Sequence, residues 1–164
     1  MIKHNLGFEW WRVWVGLACV VGPVGAASWE PLAQDHVAVY ESPDPENLYA
    51  YSPGLCLAPN GDLVATIDLG GPAAKDLAGP LYTRTRSGQT GSWQGRAYVS
   101  SDGGKSWDMT GQFPWMHERP FVAGESVYVL GQAGDLMIAR SDDNGRTWTE
   151  PVALTSGEKW HQAP

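Results

Sequence analysis

The stretch Ser100-Ser101-Asp102-Gly103-Gly104-Lys105-Ser106-Trp107 is answered 41 residues later by Ser141-Asp142-Asp143-Asn144-Gly145-Arg146-Thr147-Trp148. Both read S-x-D-x-G-x-[ST]-W. Each has the chemistry of a tight turn between two strands. The Asp carboxylate accepts from backbone N–H groups across the turn, the Gly takes φ > 0, and the Ser or Thr hydroxyl holds the other side. The closing Trp supplies a large apolar plate to bury against a neighbouring sheet. A turn signature repeating at a period near 40 marks the blades of a β-propeller.

These residues resemble the Asp boxes of the sialidase-like, BNR-repeat β-propellers. The resemblance implies an all-β fold with about two four-stranded blades, the first about 51–110 and the second about 119–155. It also implies that Ser100, Asp102, Gly104, Trp107, Ser141, Asp143, Gly145 and Trp148 are structural, because that family's Asp boxes lie on the face away from the active site.

Composition agrees with an all-β chain. Hydrophobic residues make up 43%, charged residues 18%, and there are nine Trp, so a packed core can form. Twenty Gly and twelve Pro point to many turns. The formal net charge is −7 and no Lys/Arg block occurs, which argues against a nucleic-acid partner.

Residues 1–27 read as a secretory signal: Lys3, His4 and Arg12, an apolar run from Val13 to Val24, and small residues for cleavage after Ala26 or Ala27. A membrane anchor is the first alternative, although the uncharged run to Ala27 is shorter than the ~20 residues of a spanning helix. Lipoprotein processing before Cys19 is the second, although Gly16-Leu17-Ala18 is a poor lead-in. Removal of the signal leaves a secreted or periplasmic chain, 28–164, with no membrane span. Cys56 is then the single thiol, so neither an internal disulfide nor a cysteine metal site can form.

Along the mature chain, His36 to Tyr40 reads as a short strand able to complete a last blade. Asn60-Gly61 between apolar runs marks a hairpin joining strands at Gly54–Ala58 and Leu63–Asp68. Leu69 to Gln94, rich in Gly, Pro, Ser and Thr, reads as a long functional or mobile loop. The second blade repeats the scheme through Val127–Leu130 and Asp135–Arg140. Residues 160–164 read as the entrance to a third blade. Two blades share one interface and leave two apolar faces, so the expectation is the N-terminal part of a six-bladed ring. The alternative is three two-blade chains closing one ring.

In such a propeller the second-to-third loops and blade-to-blade connections lie on the active face. Family members grip a substrate carboxylate with three arginines, the first in an Arg-Ile-Pro motif opening blade one. Here Tyr51-Ser52-Pro53 stands there, keeping the proline without the arginine, so sialic acid is not the expected substrate. Asp68 and Asp76 fall near the family's acid/base aspartate. Trp115, His117, Glu118 and Arg119 cluster in one connection, and Trp160 and His161 recur in the next. Aromatic plates beside polar donors suit a sugar site, with Trp115, Glu118, Arg119 and Trp160 binding and Asp68, His117 or His161 as acid/base groups. The plainer reading packs both Trp residues between blades. Arg84 and Arg86 alternate in the long loop, where they either meet an anionic sugar or stay solvated. No spacing supports a metal site, and no cofactor is implied. The expected function is a secreted glycoside hydrolase acting on an extracellular glycan or glycoconjugate. The alternative is a non-catalytic propeller that binds glycan or protein.

Overall fold

The computed structural model describes residues 35–157. The signal segment, the third-blade entrance, Trp160 and His161 lie outside the described residues. The described residues are all-β: about half of them are strand, arranged as two antiparallel sheets, and helix is almost absent among them.

The first sheet starts with β1 (Tyr49–Leu57) and β2 (Leu63–Gly70), joined by the expected Asn60-Gly61 turn. Gly61 takes φ 92°, and the Asn60 amide and carbonyl clasp Asp62, so the local sequence specifies this hairpin. β2 is buried on both faces, which its Leu-Val-Ala-Thr-Ile run requires. Residues 36–40 form no strand. Val39 and Tyr40 instead pack irregularly on the outer face of this sheet with Leu48, Ile67, Leu69 and Trp107.

The expected long loop is largely structured, which corrects the reading of Leu69 to Gln94. A short 3-10 helix (Pro72–Asp76) leads to β3 (Tyr82–Arg86), which pairs with the first part of β4 (Gln89–Ser100) across a Ser87-Gly88 turn. Both turn residues take positive φ, 51° and 79°. The remainder of β4 pairs with β2 and with β5 (Asp108–Phe113). β1, β2, β4 and β5 thus form one meander, and β3 with the start of β4 projects from it as an arm.

The second sheet runs in chain order, β6 (Met116–Ala123), β7 (Ser126–Ala133), β8 (Asp135–Ser141) and β9 (Val152–Ala153). It packs on the first through Val64, Val99 and Val127, and through Ala97, Phe113, Trp115, Val129 and Ala139.

The two quoted turns are superimposable in chemistry. Asp102 Oδ1 accepts from the Lys105 and Ser106 backbone at 2.9 and 3.0 Å, and Asp143 Oδ1 from Arg146 and Thr147 at 3.1 and 2.8 Å. The Ser100 and Ser141 hydroxyls each accept from the turn glycine at 2.8 and 2.7 Å. Trp148 meets the first sheet edge-on at Phe113, with ring centroids 5.7 Å apart. Arg146 bonds Asp62 at 2.7 Å, and the Asn144 side chain accepts from the Asn60 backbone. Hairpin turn and Asp boxes therefore share one end of the sheets.

Candidate functional site

The opposite end carries two irregularities that face each other. The β1–β2 register slips between Tyr51 and Gly54, and the β6–β7 register slips between Met116 and Arg119. Each slip contains a residue in the left-handed region, Ser52 at φ 48° and His117 at φ 59°. Such a conformation costs a non-glycine residue about 1–2 kcal/mol, so two in contact mark a place held against local preference. The Ser52 hydroxyl lies 3.3 Å from His117 Nδ1. Arg119 reaches back across the same gap to the Ser52 carbonyl at 3.3 Å.

Beneath them sit two carboxylates. Asp68 on β2 is 1% exposed and pairs in register with Tyr51 and Gly95. Glu118 is 0% exposed and accepts a short hydrogen bond from the Trp115 indole. A Cβ at Gly95 would fall 1.6 Å from Glu118 Oε1, so only glycine there admits the carboxylate. Burial pushes the Asp68 carboxyl above the usual aspartate range. The Ser52 hydroxyl, His117, and the His117 and Glu118 backbone N–H groups pull against that rise. Glu118 is pushed well up by burial and further by Asp68, against the pull of Trp115 and the Arg96 backbone. Asp68 Oδ1, Glu118 Oε2, Thr66 Oγ1 and both amide atoms of Gln132 are buried without a hydrogen-bond partner.

The Ser52–His117 contact is open to either tautomer of the imidazole: where the Ser52 hydroxyl accepts from Nδ1–H, Nε2 is left as a base. Asp68 and Glu118 are closed to solvent, whereas His117 is half-buried and Tyr51 and Arg119 are exposed.

The carboxylate pair has a thermodynamic consequence. A carboxyl whose folded pKa is raised binds more protons folded than unfolded, so its contribution is full below the ordinary glutamate range. It is lost as pH rises towards the folded pKa. Glu118→Gln keeps an oxygen for Trp115 and removes the charge. It is expected to raise stability by about 1 kcal/mol or more at neutral pH, because the amide has no proton to take up on burial and each unit of raised pKa is worth about 1.4 kcal/mol. Urea midpoints at pH 5 and pH 8 check this: the variant should lose less stability with rising pH, and parallel curves would count against it.

Of the residues expected to act, the structure brings Asp68, His117, Glu118 and Arg119 together beside Tyr51. Trp115 is placed differently. It is fully buried, stacked on Phe113 with centroids 4.5 Å apart, and a Cβ at Gly131 would meet its other side at 2.4 Å. It therefore offers no open ring face, a correction to its reading as a sugar plate. Asp76 is exposed beside Lys75, apart from the buried pair. Ser52 was readable only as a neighbour of the missing arginine, and Thr66 and Gln132 carried no sequence signal. Among the described residues no group of three or more His, Cys, Asp or Glu is arranged to hold a metal. No helix among them is long and apolar enough to cross a membrane.

No protein-family model and no curated protein matches the chain. Among solved structures it is similar to a protein of unknown function from Dyadobacter fermentans, at 13% identity with a TM-score of 0.27. The match covers 63% of this chain and 50% of that one, so the chain spans about half the length of that protein. At that score the likeness carries no argument, and function rests on the site itself.

Proposed function

We propose that the two sheets are neighbouring blades of a sialidase-like β-propeller and that the protein is a secreted glycoside hydrolase. In this reading His117 is the acid/base group, with Ser52 and Asp68 setting its tautomer and Glu118 holding a proton behind them. The carrying observation is the meeting of two strained bulges, one per sheet, over buried carboxylates at the end opposite both Asp boxes. That end is where the resemblance puts an active site. The signal-like segment 1–27 fits a substrate outside the cell.

The substrate is a sugar other than sialic acid. Tyr51 holds the position of the first carboxylate-binding arginine, and its phenol is neither permanently charged nor two-pronged. Burial and the nearby Tyr49 and Asp68 push that phenol higher still, away from ionisation. Loss of a bidentate pair costs about two charge-assisted hydrogen bonds, which is roughly a hundredfold or more in efficiency. Aryl sialosides should therefore be turned over at least that much more slowly than the best of a panel of neutral and uronic aryl glycosides. A sialoside as best substrate would overturn the assignment. The closure of Asp68 and Glu118 to solvent favours a second reading, glycan binding without hydrolysis, which a wholly inert panel with retained glycan binding would select.

A further inference from the structure

We propose that the groove between Tyr51 and Trp93 is a subsite for a second, neutral sugar ring. The ligand is then an uncharged oligosaccharide rather than a single terminal sugar. The inference rests on the reading that this protein handles glycans, and adds where the next ring of the chain is held.

Two glycines clear the space for the plate. A Cβ at Gly91 would fall 2.4 Å from Trp93 Cη2, and a Cβ at Gly70 would fall 2.9 Å from Trp93 Cδ1 and Nε1. The indole therefore lies against bare backbone at both of its ends. The same Cβ at Gly70 would lie 3.0 Å from Tyr51 Cε2, so the Trp93 and Tyr51 rings converge over this glycine. Each ring has an aromatic neighbour. Tyr82 tilts against Trp93 at a centroid distance of 6.0 Å, and Tyr49 meets Tyr51 edge-on at 6.1 Å. Tyr49 and Tyr51 are exposed and Trp93 is half-buried, so this aromatic cluster faces solvent instead of closing a core.

Register ties the cluster to the His117 site. Tyr51 pairs with Asp68, and Asp68 pairs with Gly95, over which Glu118 of the second sheet sits. Partners directly opposite in a ladder share a face, so Tyr51 stands on the side of the first sheet that looks towards the second. A partner covering the outer face of the first sheet would leave it open. Tyr51 is also the neighbour of Ser52, whose hydroxyl lies 3.3 Å from His117 Nδ1.

The space between the rings has the size and lining of a sugar subsite. A groove of about 580 Å³ runs between Tyr51 and Trp93, within the usual range for small-ligand clefts. The Gln89 amide and the Tyr51 phenol bring neutral hydrogen-bonding groups to it. Of the described side chains that line it, Lys75 alone is charged, and its ammonium pairs with Asp76 at 3.3 Å. A flat aromatic plate beside neutral donors and acceptors suits the C–H face and hydroxyls of an uncharged pyranose.

The test is calorimetric titration of the full chain with cellohexaose, xylohexaose, mannohexaose and maltohexaose, each beside its own monosaccharide. At least one hexaose should bind about tenfold or more tighter than its monosaccharide, equally at low and high salt. Trp93→Leu keeps apolar bulk without the flat face and should weaken that hexaose about tenfold, whereas Trp93→Phe should retain most of the binding. Gly91→Ala puts a methyl where the ring lies and should weaken it similarly. Urea unfolding of each variant shows that the loss is read from folded protein. A panel in which no hexaose outbinds its monosaccharide would overturn the inference, as would parental binding by both Trp93→Leu and Gly91→Ala. A preference that vanishes at high salt would do the same. So would concentration-dependent self-association abolished by Trp93→Leu, which would assign the rings to contacts between copies. Aryl monoglycoside turnover without hexaose preference removes this subsite and leaves the hydrolase. Hexaose binding that depends on Trp93, with an inert aryl panel, supports the subsite and removes the hydrolase.

Discussion

The Trp115→Ala variant is expected to lose about 3–5 kcal/mol of folding stability, the range for truncating a fully buried large aromatic. Three features place it there. The indole is closed to solvent between Phe113 of the first sheet and Gly131 of the second, so its removal leaves a cavity that neither sheet can fill without shifting. Its N–H is also the donor to Glu118 Oε1, and without it a buried carboxylate that already has one unpartnered oxygen loses its side-chain donor. Finally, Trp115 belongs to the cluster that joins the sheets, with Ala97, Val129 and Ala139. Urea unfolding of Trp115→Ala and Trp115→Phe measures this, with the Phe variant retaining most of the packing and losing the hydrogen bond. Unaltered unfolding with weakened sugar binding would return Trp115 to the role of a binding plate.

The contrast between Trp115 and the Asp boxes shows which features of the fold the chain declares openly. A turn that satisfies its own backbone within eight residues leaves a local signature, and both copies form as written. The Asn60-Gly61 hairpin is equally local. The arm is hidden in the sequence because Thr83 to Ser92 is composed of Thr, Ser, Gly, Gln and Arg, residues common in loops. Its stability comes from cross-strand hydroxyl and aromatic pairs that no single strand displays. The Thr-Arg-Thr-Arg alternation and the Ser87-Gly88 turn were the available signal. Tryptophans divide in the same way. Residue type does not distinguish Trp115, closed between Phe113 and Gly131, from the half-buried Trp93, and only the packing of each ring separates them.

The site was legible as a set of residue types and illegible as an arrangement. Asp68, His117, Glu118 and Arg119 were picked from context, yet nothing in the chain announces the two bulges that aim them. A register slip of a residue or two leaves no mark in hydrophobic pattern, and Ser52 is not a residue whose type foretells positive φ. Ser52 in particular enters the site by contact alone, its hydroxyl lying 3.3 Å from His117 Nδ1.

Replacing His117 by Gly is expected to separate stability from activity in opposite directions. At φ 59° a histidine pays the Cβ penalty of the left-handed region, which glycine escapes. The relief is offset by the greater freedom of glycine in the unfolded chain and by loss of the contact with Ser52, leaving stability unchanged or raised by up to about 1 kcal/mol. Turnover of the best aryl glycoside should meanwhile fall by about 10²–10⁴-fold, the usual contribution of a general acid/base group. The fall should be in kcat, with KM changing little, because in the proposed role the imidazole acts on the reacting bond and not on the sugar contacts. Ser52→Ala tests the positioning half of the same idea. It leaves the imidazole in place without its link to Asp68, and should lower kcat by less than His117→Gly does. A His117→Gly variant that unfolds readily while its folded fraction keeps parental turnover would make His117 a structural bulge residue. The acid/base role would then fall to another group at this end of the sheets.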